Sequence, residues 1–573
     1  ALPIFKFQVL PVRPILLIML TVDNIGEGFK ALFRRTPSRL RPKSDVTAYR
    51  DFVLRNGQLI VVPEQAKCNR KAAEMRQEGN RLYLAKQYKK AVSKYNESIC
   101  YAEPRSEQLG MGYANRSAVY FEEGEYELAL ANIALARQNN YPEKLTPKLV
   151  DREEKCRAKL AAGKSKGTAM SYSLAMNVPP NPKIPFIADG IAMRRYPEFG
   201  GRGLVAEKNF KPGDIILDEK PMLMLLSSWR HYCSHCGAFF QSSLLPCPGC
   251  VKAMYCSEEC RQEDYRYWHR FQCGFVEQLE HVEYITSISG PKRFFYTLTA
   301  FGDDLDAMMA FCGSEATDDP FTVDFTKEDR VLEAMKVLHQ AKVKQPLPEI
   351  ESIMRLAAAA FYAVLIKNPL LQKIADTGAK KDFIVRTFHD YIRKNTALSL
   401  DCLEFVHFTN FNTLSPVSSL VNHSHDPNAL FQQRYGKLRY YVIRPIRAGD
   451  QITVSYGPTW WDPMPTYSSV FTCRCPVCDS STGWCVREGT LPKEALRQLN
   501  ASAPRGKDRD ESEANLLRQL FEFFDRYGSY YPDGAMRPKL QVVKHLMAGM
   551  IHAGAWTLER AQVAAKVLQG AAD

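Results

Sequence analysis

Eight cysteine and histidine residues stand in four close pairs between Cys233 and Cys273: Cys233/Cys236, Cys247/Cys250, Cys256/Cys260 and His269/Cys273. Four such pairs within about forty residues supply the ligands of two tetrahedral zinc ions. A segment this short buries little apolar surface, so bound metal must provide much of its folding free energy. The spacing alone is compatible with adjacent pairs sharing an ion or with alternate pairs sharing one. A disulfide cluster is the weaker reading, because nothing else in the chain marks it as secreted. His235, inside the first pair, is expected as a solvated neighbour or as a substitute ligand. His231 has no partner spacing and reads as a surface residue.

The chain has 573 residues, of which 45% are apolar, enough for several domains with sizeable cores. Of its 16 cysteines, ten fall in this segment and in a second group, Cys473, Cys475 and Cys478. The other six are scattered, as buried thiols of a reducing compartment would be. A net charge of +13 permits acidic partners without demanding them. The basic run Phe33–Lys43 reads as a solvated linker first and a nuclear address second. Val9–Val22 is apolar, but Pro11, Arg13 and Pro14 interrupt it, leaving too little to span a bilayer. The chain starts at Ala1, as a processed or partial chain would. A soluble protein, cytoplasmic and nuclear, is expected.

Residues 69–162 are helical and repetitive. Gly79-Asn80, Tyr88, Ala91 and Tyr95 recur in a second unit as Asn115–Ala118, Tyr120, Gly124, Tyr126, Ala129 and Ala136. Small residues mark close helix crossings and aromatics fill the gaps between them. The period and the turn Glu123–Tyr126 resemble tetratricopeptide (TPR) repeats. Arg76, Asn80, Asn115, Lys148 and Arg152 resemble the carboxylate clamp by which such repeats grip a chaperone's C-terminal tail. An ordinary solvated concave face is the alternative. Beyond a linker at 163–195, Gly200–Ala206 with Phe210–Ile216 reads as one hairpin. Arg439–Ile443 with Gln451–Ser455 reads as another, turning at Arg447–Asp450. Residues 274–400 read as mostly helical. The region 487–573 reads as helical with apolar faces at Leu516, Leu520, Phe523, Leu540, Val543 and Leu546.

The paired segment, with Tyr255 before Cys256, resembles the MYND zinc finger, which is cross-braced. That resemblance implies one site of Cys233, Cys236, Cys256 and Cys260 and another of Cys247, Cys250, His269 and Cys273. Asn422-His423-Ser424-His425-Asp426-Pro427-Asn428 resembles the signature of SET-domain lysine methyltransferases. Val454-Ser455-Tyr456-Gly457 is similar to their tyrosine motif, and Phe471–Cys478 to their post-SET zinc segment. Together these features resemble the SET-and-MYND family, TPR-bearing branch. The implied fold is multidomain α+β, with TPR helical repeats at 69–162 after an N-terminal extension, 1–68. A β-rich SET domain at 196–232 and 401–457 is split by the MYND finger, 233–273, and the helical insertion, 274–400. A post-SET zinc segment, 458–486, and C-terminal helices follow.

The resemblance implies transfer of a methyl group from S-adenosylmethionine to a lysine of a histone or other protein. Free lysine titrates near ~10.4, so the site must favour the neutral amine by desolvation. Tyr456 is then the catalytic residue, orienting the amine and polarising the methyl. Gly201, Arg202, Gly203, Asn410, Ser419, Asn422, His423, Tyr456 and Phe471 are implied at the cofactor, with Arg202 near its carboxylate and Phe471 on its adenine. Asn412 competes with Asn410. The family usually has Cys where this chain has His425, and imidazole is an equally good zinc ligand. A third ion is therefore expected at His425, Cys473, Cys475 and Cys478, Cys485 being the substitute. The stretches Asn410–Asn422 and Tyr456–Cys473 are shorter than the family usually shows. A catalytically weak adaptor is the alternative, binding proline-containing peptides through the MYND finger and chaperone tails through the TPR repeats. Nucleic acid is disfavoured, because the basic zinc surface lacks interleaved aromatics.

Overall fold

The computed structural model describes residues 25–37, 40, 44–165, 176–196, 201–226, 232–238, 243–284, 287–327, 330–341, 348–398, 400–404, 409–434, 437–462, 473–502 and 509–552. The apolar stretch Val9–Val22 and parts of the basic run Phe33–Lys43 lie outside them. In chain order the main elements begin with helices α1 (Glu27–Arg35), α2 (Val46–Arg55), α3 (Asn69–Leu84), α4 (Tyr88–Tyr101), α5 (Glu107–Glu122), α6 (Tyr126–Gln138) and α7 (Thr146–Ala161). Strands β1 (Ile191–Tyr196), β2 (Gly201–Ala206), β3 (Ile215–Glu219), β4 (Leu223–Leu226), β5 (Leu245–Pro246) and β6 (Met254–Tyr255) follow. Next come α8 (Glu258–Asp264), α9 (Ser289–Ala300), α10 (Pro348–Leu365) and α11 (Gly378–Leu398). Then come β7 (Leu400–Glu404), β8 (Thr409–Leu414), β9 (Asn422–His423), β10 (Ala429–Arg434), β11 (Lys437–Val442) and β12 (Gln451–Val454). Helices α12 (Lys493–Ala501), α13 (Arg509–Tyr527) and α14 (Arg537–His552) complete the series. No helix among the described residues is long and apolar enough to cross a membrane.

The chain divides into two compact units. One draws on residues 1–65, 265–314 and 343–397 and is helical among its described residues. Residues 25–60, expected only as an extension, contribute Phe29, Leu32, Tyr49 and Val53 to its core. The small side chains Ala357–Ala360 on α10 are fully buried, which lets neighbouring helices approach closely. Gly290 on α9 serves the same end, since a Cβ there would meet the Phe388 carbonyl oxygen at 2.9 Å. Phe294 and Phe388 meet edge to face nearby, 5.1 Å apart.

The other unit draws on residues 66–264, 315–342 and 398–573. Helices α3 to α7 form its helical N-terminal part, packed in sequential antiparallel pairs. Gly79 sits where α3 crosses α4, and a Cβ there would lie 2.5 Å from the Tyr95 ring. Gly124 turns the chain between α5 and α6 at φ +77°. Arg116 is fully buried in this array. It donates to Asn132 Oδ1 (2.8 Å), Asn96 Oδ1 (2.7 Å) and the Leu244 carbonyl (3.0 Å), fastening the helices to the residue just before β5.

Two strand pairings differ from the sequence reading. β2 does not pair with β3, nor β11 with β12. The sheets run β1-β2-β12-β9 and β10-β11-β3, with β4-β8-β7 and the small β5-β6 hairpin beside them. The first strand of each expected hairpin therefore pairs with a strand of the other. The turn at Arg447–Asp450 does form, with Gly449 at φ +95° and Asp450 N–H on the Arg447 carbonyl at 3.0 Å. Gly449 N–H then reaches the Ala206 carbonyl (2.7 Å), and Phe210 bridges Ile446. Pairing across some 240 residues serves burial: Leu204, Ile216, Leu217, Val421, Leu438, Tyr440, Ile452 and Val454 share one core. Each such aliphatic side chain contributes about 1.5–3 kcal/mol when fully buried. Ile184 and Ile187, at the end of the expected linker, belong to the same core. A second core packs Trp460 and Trp461 against Leu516, Leu520, Phe523, Leu540 and Val543 of the C-terminal helices.

Candidate active site and metal centres

Three groups of four residues each gather their ligand atoms within 4.8 Å of one another: Cys233, Cys236, Cys256 and Cys260; Cys247, Cys250, His269 and Cys273; and His425, Cys473, Cys475 and Cys478. The first two interleave along the chain. Local backbone shapes the knuckles. Gly237, at φ +70°, closes a turn onto the Cys233 carbonyl (2.9 Å). The β5–β6 hairpin presents Cys247 and Cys250, and Gly249 N–H donates to Cys247 Sγ at 3.3 Å. Cys236 and Cys256 Sγ lie 3.5 Å apart, as do Cys256 and Cys260. A tetrahedron with zinc–sulfur arms of about 2.3 Å has edges of about 3.8 Å, so the donor set and its spacing fit zinc. His269 Nδ1 faces Gln272 Oε1 at 3.1 Å, leaving Nε2 to ligate. His235 is half-buried and stands outside the four-cysteine group. His231 lies outside the described residues.

The third group closes around one imidazole nitrogen. His425 Nδ1 lies 3.3 Å from Cys475 Sγ, 3.3 Å from Cys478 Sγ and 3.6 Å from Cys473 Sγ. Hydrogen bonding from Cys473, with contacts from His425, pulls the Cys475 thiol down toward the thiolate that a metal needs. Cys485 is exposed and outside this group.

The third group stands next to a three-strand junction. β12 pairs antiparallel with β2 (Ile452 opposite Leu204) and parallel with β9 (Thr453 opposite Asn422, Val454 opposite His423). This brings the glycine strand, the Asn-His pair and the tyrosine motif together. Asn422 Nδ2 donates to the Arg202 carbonyl at 3.0 Å. A Cβ at Gly203 would lie 2.6 Å from Asn422 Nδ2 and 2.3 Å from Gln451 Nε2, so both amide ends would have to move aside. Gly201 is exposed beside it. His423 Nδ1 accepts the Tyr456 backbone N–H at 3.0 Å, and its Nε2 meets His425 Nδ1 at 3.3 Å. Burial, with His425 nearby, pulls His423 down to about 4, which keeps its ring neutral and able to accept.

Tyr456 as a whole is 47% exposed, yet its hydroxyl end is enclosed and donates to the Val421 carbonyl at 2.5 Å. Desolvation pushes the phenol well above its ordinary range, so it stays a neutral donor.

The remaining sequence-derived positions scatter. The Arg202 guanidinium donates to the Asp318 carbonyl and lies 3.6 Å from the Asp318 carboxylate, which also takes Arg195 at 2.5 Å. Ser419 sits in the turn Ser418–Leu420 just before β9, and its Oγ is buried. Asn410 and Asn412 stand on β8, in the β4-β8-β7 sheet rather than the junction. Phe471 lies outside the described residues. In the helical array, Asn80 Oδ1 accepts from Asn115 Nδ2 (2.6 Å) and from Tyr95 (2.9 Å). Arg152 donates to Ala114 and Ser117, each at 2.9 Å, and Arg76 to Gln108 at 3.2 Å, while Lys148 is exposed.

Glu219, Gln451 and Asp318 were not legible as site residues. Glu219 is buried and accepts from Val417 N–H (3.2 Å), Ser418 N–H (2.7 Å) and the Ser418 hydroxyl, holding the turn that leads into Asn422. Strand alternation offers one signal for it, since Glu219 falls two residues beyond the buried Leu217, on the same face of β3. Gln451 Nε2 and Ser419 Oγ are buried without a hydrogen-bond partner among the described residues. Unspent donors beside a glycine that a Cβ would fill suit a polar cofactor at close backbone approach.

Residues 201–457 match the SET domain family model. The chain is 28% identical over 221 residues to "Protein-lysine N-methyltransferase SMYD4" of Danio rerio, covering 35% of this chain and 29% of that protein. It is 24% identical over 325 residues to the Homo sapiens protein of the same name, covering 45% and 39%. To "Histone-lysine N-methyltransferase ASHR1" of Arabidopsis thaliana it is 22% identical over 289 residues, covering 49% and 53%. The chain thus spans well under two thirds of the length of these relatives.

Proposed function

We propose that the chain is a member of the SET-and-MYND family and that it transfers a methyl group from S-adenosylmethionine to a lysine of a histone or another protein. The observation that carries this reading is the junction of β2, β12 and β9, which puts Gly203, Asn422, His423 and Tyr456 in one place. S-adenosylmethionine supplies a sulfonium-activated methyl group when bound. Gly201, Gly203, Asn422 and His423 are the residues to hold it, with Ser419 and Gln451 as further donors. Arg202 reaches its carboxylate only by sharing its guanidinium with Asp318. Asn410 and Phe471 complete the assignment as proposals from motif position alone.

Tyr456 orients the incoming amine. Its phenol stays protonated, and the Val421 carbonyl fixes its hydroxyl. Displacement at the methyl needs alignment more than bond-making by the protein, so positioning is where the side chains contribute. The three zinc groups are structural; they fix the finger and the segment around Cys473–Cys478.

Helices α3–α7 read as TPR repeats, and Arg76, Asn80, Asn115, Lys148 and Arg152 as a clamp for a chaperone tail. Most of these groups already bond within the array, so an incoming carboxylate must displace those bonds. Proline-containing peptides are the partners proposed for the MYND finger. Cytoplasm and nucleus are the proposed locations. Calorimetry with S-adenosylhomocysteine tests the pocket. Binding supports the enzyme, and no binding by the folded, zinc-loaded chain contradicts it.

A further inference from the structure

Asp426 is 7% exposed, and side chains from three separate segments converge on its carboxylate. Trp460 Nε1 donates to Oδ1 at 3.0 Å, and Trp484 Nε1 donates to Oδ2 at 3.1 Å. The Tyr531 hydroxyl, from the C-terminal helical region, also donates to Oδ1. Arg444 supplies the neighbouring charge, 3.6 Å from Oδ2, while its Nη2 holds the Asp426 carbonyl at 3.1 Å. The rings close the cluster. Trp460 meets Trp484 at 5.7 Å and Tyr531 at 6.1 Å, both edge to face.

Asp426, Trp460 and Trp484 all lie close to the third metal group, in sequence or through the backbone. Asp426 follows His425, and Trp484 comes shortly after Cys478. Trp460 also donates its backbone N–H to the His425 carbonyl at 2.9 Å. The C-terminal helices grip the Trp460 segment a second time: Lys544 Nζ lies 3.0 Å from Asp462 Oδ1, and Arg537 donates to the Asp462 carbonyl at 2.9 Å. A nearly buried carboxylate that accepts three donors is stable only while they stay paired, so the segments are held together or not at all.

We propose that Asp426 is the positioning residue of the third metal group, and that the C-terminal helical region reaches that group through it. This rests on reading His425, Cys473, Cys475 and Cys478 as zinc ligands. Asp426 touches no ligand atom. It acts by fixing the backbone of His425 through Trp460 and the segment after Cys478 through Trp484. Tyr531 joins the same carboxylate from some hundred residues away, so removal of its hydroxyl should loosen a metal that it does not contact.

The test is zinc release from the full zinc-loaded chain to a chromogenic chelator. Wild type, Asp426→Asn, Tyr531→Phe and Cys478→Ser are compared, the last to mark the phase that belongs to the third ion. In Asp426→Asn and Tyr531→Phe the third ion is expected to dissociate about 10- to 100-fold more readily. The two finger ions should be held as in wild type. Unchanged release of the third ion in both variants would overturn the proposal. So would parallel loss of all three ions from Tyr531→Phe, a variant that removes a single oxygen. A wild-type chain carrying only two ions would instead refute the zinc reading of the third group, and the proposal with it.

Discussion

The phenol of Tyr456 donates to the backbone carbonyl of Val421, the residue immediately before Asn422, at 2.5 Å. That bond ties the end of the tyrosine strand to the start of the Asn-His strand. The adjacent parallel pairing of Thr453 with Asn422 makes the two segments one rigid edge. The residues proposed for the cofactor and for the amine therefore share a backbone frame, and a change at one is felt at the other.

Gly203 is the tightest point of that frame. A methyl group added there would press on Asn422 Nδ2 and Gln451 Nε2. Gly203→Ala is expected to weaken S-adenosylhomocysteine binding about 10- to 100-fold, because the amide ends of Asn422 and Gln451, both proposed to hold the cofactor, must move aside. Calorimetry reads this directly, and metal analysis should still find three zinc ions. Unaltered affinity would place the cofactor elsewhere.

Glu219 gives a pH dependence of known sign. Burial pushes its carboxyl from the ordinary 4.5 up to about 7, the donors of Ser418 and Val417 offsetting part of the shift. A folded-state value above the unfolded one means that its stabilisation is full below pH 4.5 and is lost as pH rises through about 7. The melting temperature of wild type, relative to Glu219→Gln, should fall between pH 5 and pH 8. Parallel curves for the two proteins would contradict this assignment.

Arg116 predicts a stability effect without a catalytic one. Replacing it with Leu strips the donor from Asn96, Asn132 and the Leu244 carbonyl in a buried setting. A loss of about 2–4 kcal/mol is expected in urea unfolding. Affinity for S-adenosylhomocysteine in the folded protein should be unchanged.

Which parts of this were legible in the sequence follows from the range of the forces involved. Paired metal ligands, turn glycines such as Gly449 and Gly124, and helical apolar faces such as Leu516/Leu520/Phe523 are local patterns, and they read directly. The partners of the strands did not. A turn at Arg447–Asp450 suggests that β11 folds back on β12, but the shared core pairs β12 with β2 and β11 with β3 instead. Register between distant strands is set by burial, which no short window contains. The role of Asp426, named only as part of a motif, and the place of Asp318 were illegible for the same reason, since their meaning comes from Tyr531, Trp484, Arg195 and Arg202. Asn410 matched by motif position, yet β8 belongs to another sheet.

The central claim is that Tyr456 acts in methyl transfer rather than in folding. The direct measurement is transfer of tritiated methyl from S-adenosylmethionine to lysine-containing protein by wild type and by Tyr456→Phe, alongside zinc content and S-adenosylhomocysteine affinity. The phenylalanine variant should transfer about 100-fold more slowly or worse, with three zinc ions and near-normal affinity. Equal transfer by the two proteins would contradict the account.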